Sequence, residues 1–241
     1  MIPLSIKSKR EWKDPKGYRF LAAWSNSVLL EVLIRKFTLT IVPPIKSPNI
    51  PLNSFNSRSP FHHEYRLKTQ LDDAGRSVIS NIVEGFKRPT TKEYLEFLGF
   101  SQGSLEEVRS DSNRSLQNGL IKSIRESSLQ NIGIDLAKWN KWCQDPKNEN
   151  HLLDFPLREF YGNLKEYKGQ KPKRESLKEI NGEDLTYEIF IELINKTDYL
   201  LRNLVISLQK SGDFKENLRK NPWMEKEREF DQYLAKILKK K

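Results

Sequence analysis

The chain has 241 residues, enough for one or two domains with a packed core, and it carries a formal net charge of +10. Only 37% of its residues are hydrophobic and 31% are charged, which suits solvated amphipathic helices better than a thick globular interior. No run of about 18 apolar residues is present, so a membrane-spanning helix is not expected. The first residues lack the apolar stretch of a secretory signal, and we therefore expect a cytoplasmic protein without membrane contact.

The basic excess is concentrated in the first quarter of the chain. Residues 1–60 contain ten Lys and Arg against three Asp and Glu, whereas residues 61–124 contain nine of each. In an oligomer this charge would be multiplied into a field that attracts polyanions at low salt. A basic surface that merely keeps the protein in solution explains the same count, so both interpretations stay open.

The N-terminal part predicts a basic arm, a helix and a long loop. After an arm over residues 1–14, Asp14 and Pro15 favour a helix start, because aspartate accepts amide hydrogen bonds there and proline has a helical φ. Apolar residues then recur every three or four positions from Leu21 to Phe37 and predict a first helix over residues 15–39. Five prolines between residues 43 and 60 predict a non-helical, proline-rich loop over 40–63.

Two long amphipathic patterns follow, with a short break between them. The seam of the first is Leu67, Leu71, Ala74, Val78, Ile82 and Phe86, and the seam of the second is Tyr94, Phe97, Leu98, Ser101, Leu105, Val108 and Ser112. We expect Gly85 to end the first helix in the left-handed conformation, with Pro89 preventing its continuation. Thr90 and Glu93 form a capping box that begins the next helix. The segment therefore predicts an antiparallel helical hairpin.

The hairpin also contains two motifs that point to a known family. One is the run RSVISNIVEGF at residues 76–86, and the other is Phe97-Leu98 followed by GSLEE at 103–107. Over about residues 16–120 the chain resembles the four-helix-bundle proteins encoded by intervening sequences in large-subunit ribosomal RNA genes. Their relatives include the accessory variability determinant of diversity-generating retroelements. The C-terminal half resembles a suffix region found on longer members.

The resemblance implies a bundle fold, a homopentamer and an association with nucleic acid, but no established biochemical activity. In such an oligomer, basic residues on the bundle helices form a positive surface for RNA, DNA or a reverse transcriptase. The nucleic-acid-binding candidates at these positions are Arg66, Lys68, Arg76, Lys87 and Arg88. Acidic neighbours on the same helix, such as Asp72 and Asp73, fit intrahelical or intersubunit ion pairs equally well.

Six residues of the two motifs are assigned structural rather than chemical roles. They are Asn81, Glu84, Gly85, Gly103, Ser104 and Glu107. Asn81 and Glu84 are expected to cap or bridge near the turn. Gly103 and Ser104 are expected to let two helices approach closely.

The remainder of the chain predicts an irregular linker and a suffix. Gly119 is expected to end the third helix, and apolar residues from Leu129 to Trp139 predict a short helix over about 126–143 within the linker 120–183. The lysine-rich run at 168–174 fits a solvated loop, with a phosphate-contacting tether as the alternative. A long helix over 184–210, ended by Gly212, is expected to complete the bundle and to begin a suffix over 184–241 whose final helix covers residues 223–237.

Patterns that carry catalysis or bind metals are missing from the sequence. The three histidines form no HExxH motif, Cys143 is the single cysteine, and no glycine-rich nucleotide loop is present. The doublets Asp72-Asp73 and Glu106-Glu107 cannot each converge on one ligand, since neighbours on a helix diverge by about 100°. We therefore expect no catalytic residue, no metal site and no cofactor.

These observations predict an all-α protein, an antiparallel up-and-down four-helix bundle with an additional C-terminal helical suffix. The function they favour is that of a non-enzymatic oligomeric accessory protein that binds RNA or DNA electrostatically, beside a reverse transcriptase or ribosomal RNA. The alternative is a structural or interaction scaffold with a protein partner and no nucleic acid.

Overall fold

The protein is all-α, as the sequence predicts. The computed structural model describes residues 14–41, 62–157 and 175–219. At His62 and at 211–219 it describes the backbone alone. The helices are α1 (Ala22–Ile41), α2 (His62–Lys87), α3 (Thr91–Gln117), α4 (Leu136–Gln144) and α5 (Tyr187–Arg219). These ranges contain short 3-10 turns and two isolated bridge pairs, but no strand. No helix within them is long and apolar enough to cross a membrane.

The first three long helices pack in alternating directions. At one end of α1, the Thr38 hydroxyl donates to an Asp72 carboxylate oxygen of α2 at 2.9 Å. At the other end, the Tyr18 ring that precedes α1 meets the Phe86 ring near the end of α2. Between α2 and α3, the Ser101 hydroxyl donates to the carbonyl oxygen of Val78 at 3.0 Å. Both helix pairs are therefore antiparallel.

The fourth long helix, α5, closes the bundle between α3 and α1. The Tyr187 hydroxyl donates to the Asn113 side-chain oxygen at 2.6 Å, and Arg109 donates to Asn195 at 2.9 Å, so α5 runs antiparallel to α3. Against α1, the rings of Phe37 and Phe190 lie 5.6 Å apart between centroids. Each long helix thus contacts two neighbours, which defines an up-and-down four-helix bundle.

The core consists of the seams that the heptad-like spacing predicts. Every residue of the α2 seam is buried except Phe86, and every residue of the α3 seam is buried except Phe97; these two are half-buried. Leu29, Leu33 and Leu193 contribute the facing surfaces of α1 and α5 and are fully buried. Because apolar burial contributes about 25 cal/mol per Å² and is the dominant favourable term in folding, these continuous seams are the main stabilising feature of the bundle.

The prediction that Gly85 ends α2 in a left-handed conformation is wrong. The helix continues to Lys87, and the glycines with positive φ within the described ranges are Gly119 and Gly133. The helix ends before Pro89 because a residue that precedes proline disfavours the α conformation. Gly85 instead allows close packing of α3, since a Cβ atom there would lie 2.7 Å from the Cβ of Phe97.

One helix start differs from the sequence expectation, and another agrees with it. Asp14 does accept a hydrogen bond from the Lys16 amide, at 2.8 Å, but a 3-10 turn over Gly17–Phe20 follows, and α1 begins only at Ala22. The turn is held by tertiary packing that periodicity cannot show. At α3 the expected start is confirmed, because the Thr90 hydroxyl oxygen accepts from the Glu93 amide at 3.2 Å.

The short helix of the linker is shorter than its apolar pattern suggests. Residues Leu129–Ile132 form a 3-10 turn, Gly133 follows with φ 83°, and α4 begins at Leu136 after Asp135 caps it. Gly119, with φ 69°, ends the α3 segment as predicted. A glycine in the left-handed conformation interrupts a helix, but the apolar residues on both sides of it keep a helical spacing. The spacing therefore does not reveal the interruption.

The helix α5 continues beyond the predicted end at Gly212 and reaches Arg219, since one glycine inside a helix costs only about 1 kcal/mol. The chain divides into two compact units, Met1–Leu201 and Arg202–Lys241, and the contacts of the bundle described above lie in the first. The expected arm at 1–13, most of the proline-rich loop, the run at 168–174 and the helix at 223–237 lie outside the described residues.

Candidate nucleic-acid interface

The five predicted nucleic-acid-binding residues all lie on α2 or directly after it. Arg66 and Lys68 lie near its beginning, Arg76 near its middle, and Lys87 and Arg88 at its end. Along a helix that rises about 1.5 Å per residue, Arg66 and Lys87 are roughly 30 Å apart. In a single chain, these residues therefore form a line along one helix rather than a compact patch.

Three of the five cations already have carboxylate partners on α2. Lys68 lies 2.6 Å from Asp72, with both side chains about one-quarter exposed. Arg76 pairs with Asp73, and both side chains are more than half exposed. Arg88 lies 3.2 Å from Glu84, and its guanidinium stands 4.3 Å from the centre of the Phe97 ring. The interpretation as intrahelical ion pairs therefore accounts for these three positions in the isolated chain.

Arg66 and Lys87 differ from the other three. Both are exposed, and neither forms an ion pair with any residue in the described part of the chain. Exposed ion pairs contribute only about 0–1 kcal/mol, so a phosphate can replace the partners of Arg76 and Arg88 at small cost. The half-buried pair of Lys68 is harder to open. The structure thus orders the candidates by availability, with Arg66 and Lys87 first and Lys68 last.

The six structural motif residues are divided between the turn and the open side of α3. Glu84 bridges to Arg88 as expected near the turn, while Asn81 is half-buried. Gly103 is exposed, and a Cβ atom there would meet no atom within 4 Å, so no helix of the described chain approaches it. Ser104 is half-buried and Glu107 is exposed beside it. The close approach expected at Gly103 occurs instead at Gly85.

Acidic, thiol and imidazole groups do not converge on a reaction centre in the described ranges. Glu106 pairs with Arg109 at 3.0 Å, and no group of three or more His, Cys, Asp or Glu residues within these ranges could hold a metal ion. Burial raises the pKa of Cys143 to about 12, so its thiol stays protonated at neutral pH. Cys143 therefore packs in the interior as a small apolar side chain.

A cluster of three charges links the residues before α1 to the linker after α4. Arg19 is 6% exposed and pairs with Glu149, which also lies 3.0 Å from Lys16. Hydrogen bonds from Lys16 and Arg19 hold the pKa of Glu149 below its ordinary value. Burial disfavours the charged form of Arg19, but Glu149 outweighs that effect and raises the pKa of the guanidinium. One carboxylate thus holds two cations in place, and the buried Arg19 ties the residues before α1 to the linker.

Two carboxylates at the beginning of α5 hold the linker that precedes α4. Glu188 accepts hydrogen bonds from the Ser123 hydroxyl and from the Ile124 amide, the latter at 2.9 Å, and Glu192 accepts from the Leu129 amide at 2.7 Å. Partial burial opposes the charge of Glu188, but the hydrogen bonds from Ser123 and Ile124 leave its pKa below the ordinary value. The linker is thereby fixed to the bundle.

Three further cations escaped the sequence reasoning. Lys138 and Lys141 lie on α4 and Lys147 in the turn after it; all three are exposed, and none pairs with a carboxylate in the part of the chain that the structure describes. Their spacing of three along α4 could have indicated one helix face. The position of that face on the bundle depends on tertiary contacts of α4, which the sequence does not show.

The fold and the charges together define an all-α bundle protein with cations along α2 and α4. Within the described residues, no cluster of side chains forms a reaction centre. Residues 52–139 match the model of the family described as 23S rRNA-intervening sequence protein. The match begins later than the resemblance at 16–120 and extends to Trp139 of α4. No curated protein and no solved structure matches the chain.

Proposed function

We propose that this protein is a non-enzymatic, self-associating accessory protein that binds nucleic acid through its cationic residues. The observation that carries the proposal is the net charge of +10, concentrated in residues 1–60. The family description of residues 52–139 supports it, because it refers to an intervening sequence of 23S ribosomal RNA. The proposed partners are ribosomal RNA, or the nucleic acid handled by a reverse transcriptase, in the cytoplasm.

Phosphate binding by single charges explains how such a surface works without a reaction centre. Each lysine or arginine that contacts a phosphate releases a condensed counterion, which favours binding at low salt. Arg66 and Lys87 are available without opening an ion pair, Arg76 and Arg88 are available at small cost, and Lys68 contributes least. Five copies in a homopentamer would repeat this line of charges around one particle.

The experiment is a salt titration of binding to structured RNA and to duplex DNA. The double variant Arg66→Gln/Lys87→Gln is expected to lower the slope of log K against log salt by about 1.4–1.8, because two phosphate contacts are lost. The matched control, Lys68→Gln, removes a cation held in a half-buried pair and is expected to change the slope by less than about 0.5. No binding by the unmodified protein at about 50 mM salt would refute the proposal.

Self-association is proposed separately from binding. Phe20 is 63% exposed in the single chain, so its ring is open to contact with a second copy. Light scattering of the purified chain is expected to give five times the mass of 28.4 kDa. A monomer mass at micromolar concentration would contradict the pentamer.

The second candidate function is a scaffold for a protein partner, and the ion pairs of Lys68, Arg76 and Arg88 favour it. They neutralise most of the charge that an α2 interface would offer to phosphate. A scaffold is expected to retain its protein partner in pull-downs after nuclease treatment. Loss of every partner after that treatment would exclude the scaffold in favour of nucleic-acid binding.

A further inference from the structure

A cleft of about 370 Å³ opens between the beginning of α1, the short helix α4 and the middle of α5. Its volume lies in the range of about 300–1,000 Å³ that small-molecule sites occupy. Ala22, Leu136 and Leu200 give it apolar walls, and three asparagines, Asn26, Asn140 and Asn195, supply polar groups. A mainly apolar cleft with a few convergent polar groups is the common form of a ligand site.

Asn26 is the most informative of these residues. Its side chain is 2% exposed, and its Oδ1 atom is buried without a hydrogen-bond donor in the described chain. Leaving such an acceptor unpaired costs about 1–3 kcal/mol, so a buried orphan in a cleft wall calls for an explanation. A ligand that brings an N–H or O–H group would satisfy it.

In the other two asparagines, the side-chain oxygen already accepts a hydrogen bond within the protein. The Asn140 Oδ1 atom accepts from the Ser25 hydroxyl at 2.5 Å, and the Asn195 Oδ1 atom accepts from Arg109 at 2.9 Å. With their oxygens engaged, these two asparagines offer their N–H groups to a ligand. The α4 wall is held in place, because the Trp139 indole N–H donates to the Ser25 carbonyl oxygen at 2.6 Å. The walls of the cleft therefore contain three amide side chains, and its α4 wall is fixed to α1.

An exposed ring and several cations surround the opening. Tyr199 lines the cleft yet is 66% exposed, an arrangement that leaves a ring face for stacking. Lys196 also lines it, and Lys138 and Lys141 lie on the exposed side of α4. Lys196 is engaged by Glu192 on the same helix, and Asp135 caps α4, so Lys138 and Lys141 are the cations left for a phosphate. A ligand with a planar polar edge and a negative backbone fits all of these features.

We propose that this cleft binds one unstacked nucleobase of a single-stranded nucleic acid. The base stacks on Tyr199, its edge faces Asn26 and the neighbouring amides, and the adjacent phosphates reach Lys138 and Lys141 of α4. Bases carry donors and acceptors on one edge, and proteins read them in single strands by this combination of stacking and amide pairing. The inference rests on the proposed function and adds to it a contact that depends on the base.

The test is a binding titration of the full chain with labelled single-stranded RNA and DNA of about 12 nucleotides, and with an abasic strand of the same length, at about 50 mM salt. The unmodified protein is expected to bind the base-bearing strands roughly tenfold more tightly than the abasic strand. Tyr199→Ala should remove most of that difference, since stacking on one aromatic ring contributes roughly 5- to 150-fold in affinity. Tyr65→Ala, at a partly exposed tyrosine near the start of α2, is the matched control and should leave affinity within about twofold.

Asn26→Leu separates a binding role from a structural one. The substitution removes a buried acceptor without a partner, so the melting temperature is expected to stay the same or rise while affinity for base-bearing strands falls roughly fivefold. The ratio of RNA to DNA affinity then identifies the source of the base. Equal binding of base-bearing and abasic strands would refute the cleft while leaving electrostatic binding intact. No binding of any strand would refute the proposed function and the cleft together.

Discussion

At the residue scale, Trp139 is the largest side chain that the described chain buries completely. Its indole N–H bonds the Ser25 carbonyl oxygen of α1, and its ring meets Phe155 edge-on at 5.2 Å. One side chain therefore joins α4, α1 and the linker. Trp142, one turn away on α4, also contacts Phe155, but its buried indole N–H has no acceptor in the described chain.

These two tryptophans allow a matched test of the α4 contact. Trp139→Phe is expected to lower the free energy of unfolding by roughly 2–3 kcal/mol, because it removes a buried hydrogen bond and leaves a cavity. Trp142→Phe should lower it by about 1 kcal/mol or less, since its N–H has no acceptor to lose. Urea denaturation of both variants measures the difference. Equal losses would show that the hydrogen bond to Ser25 contributes nothing.

A second residue-scale prediction concerns acid stability. Because the pKa of Glu149 is lowered in the folded state, its contribution to stability is present above the ordinary carboxyl pKa and is lost as the pH falls through the folded value. Glu149→Gln should therefore lower the urea midpoint at pH 7 and make the loss of stability between about pH 5 and pH 3 shallower than in the unmodified chain. Urea titrations at several pH values give both quantities.

Glu96→Gln provides the control for this pH dependence. Glu96 is exposed on α3 and pairs with no cation in the described ranges. Its replacement should leave both the midpoint at pH 7 and the acid slope close to those of the unmodified protein. The same acid slope in the Glu149 and Glu96 variants would refute the role assigned to the Arg19–Glu149 cluster.

At the element scale, the hairpin of α2 and α3 depends on a glycine. Gly85→Ala is expected to lower the free energy of unfolding by roughly 1–3 kcal/mol, because the added methyl would lie 2.7 Å from the Phe97 Cβ atom and 2.8 Å from the Tyr94 ring. Gly103→Ala, on the open side of α3, should raise it by about 0.5–1 kcal/mol through helix propensity. Thermal or urea unfolding compares the two.

The Gly103 variant also reports on the surroundings of α3. A loss of stability there would mean that another chain covers this side of the helix, since nothing within the described chain approaches it. If both alanine variants behaved alike, the close approach at Gly85 would not be the feature that sets the geometry of the hairpin.

The elements also show where sequence reasoning succeeds and where it stops. The seams of α2 and α3 were predictable because burial repeats every three or four residues and the period survives in the sequence. The end of α2 was predicted at Gly85 from the known preference of glycine for helix ends, yet packing against Tyr94 and Phe97 gives Gly85 another role. A glycine can either form a turn or allow a close contact between helices, and only the position of the neighbouring helix shows which role it has.

At the scale of the whole molecule, the uneven charge predicts which part of the chain dominates binding. Replacing Lys7, Lys9, Arg10 and Lys13 with glutamine is expected to reduce the salt slope for RNA by up to about 3, if all four contact phosphate. The control replaces the same number of cations in the run 168–174, where a solvated loop is expected, namely Lys168, Lys171, Lys173 and Arg174. Equal reductions would favour a phosphate-contacting tether at 168–174 instead.

The candidate interface was only partly accessible to sequence reasoning. The sequence offered five cations and the acidic residues Glu64, Asp72, Asp73 and Glu84 without stating which pairs form, because pairing depends on rotamers and helix faces. Within the described ranges, Arg66 and Lys87 have no ion-pair partner, whereas Lys68, Arg76 and Arg88 each pair with a carboxylate. The cleft at Asn26 gave no sequence signal, since its walls come from three helices far apart in the chain.

The sequence by itself determined the all-α class, the four long helices and the seams that they bury, because helical periodicity and apolar burial are local and additive along the chain. The order of the helices around the bundle, the role of Gly85, the pairing of charges and the cleft between α1, α4 and α5 were decided by the tertiary structure. These features depend on which surfaces meet across long separations in sequence, and the free energy of such contacts exists only once the helices have packed.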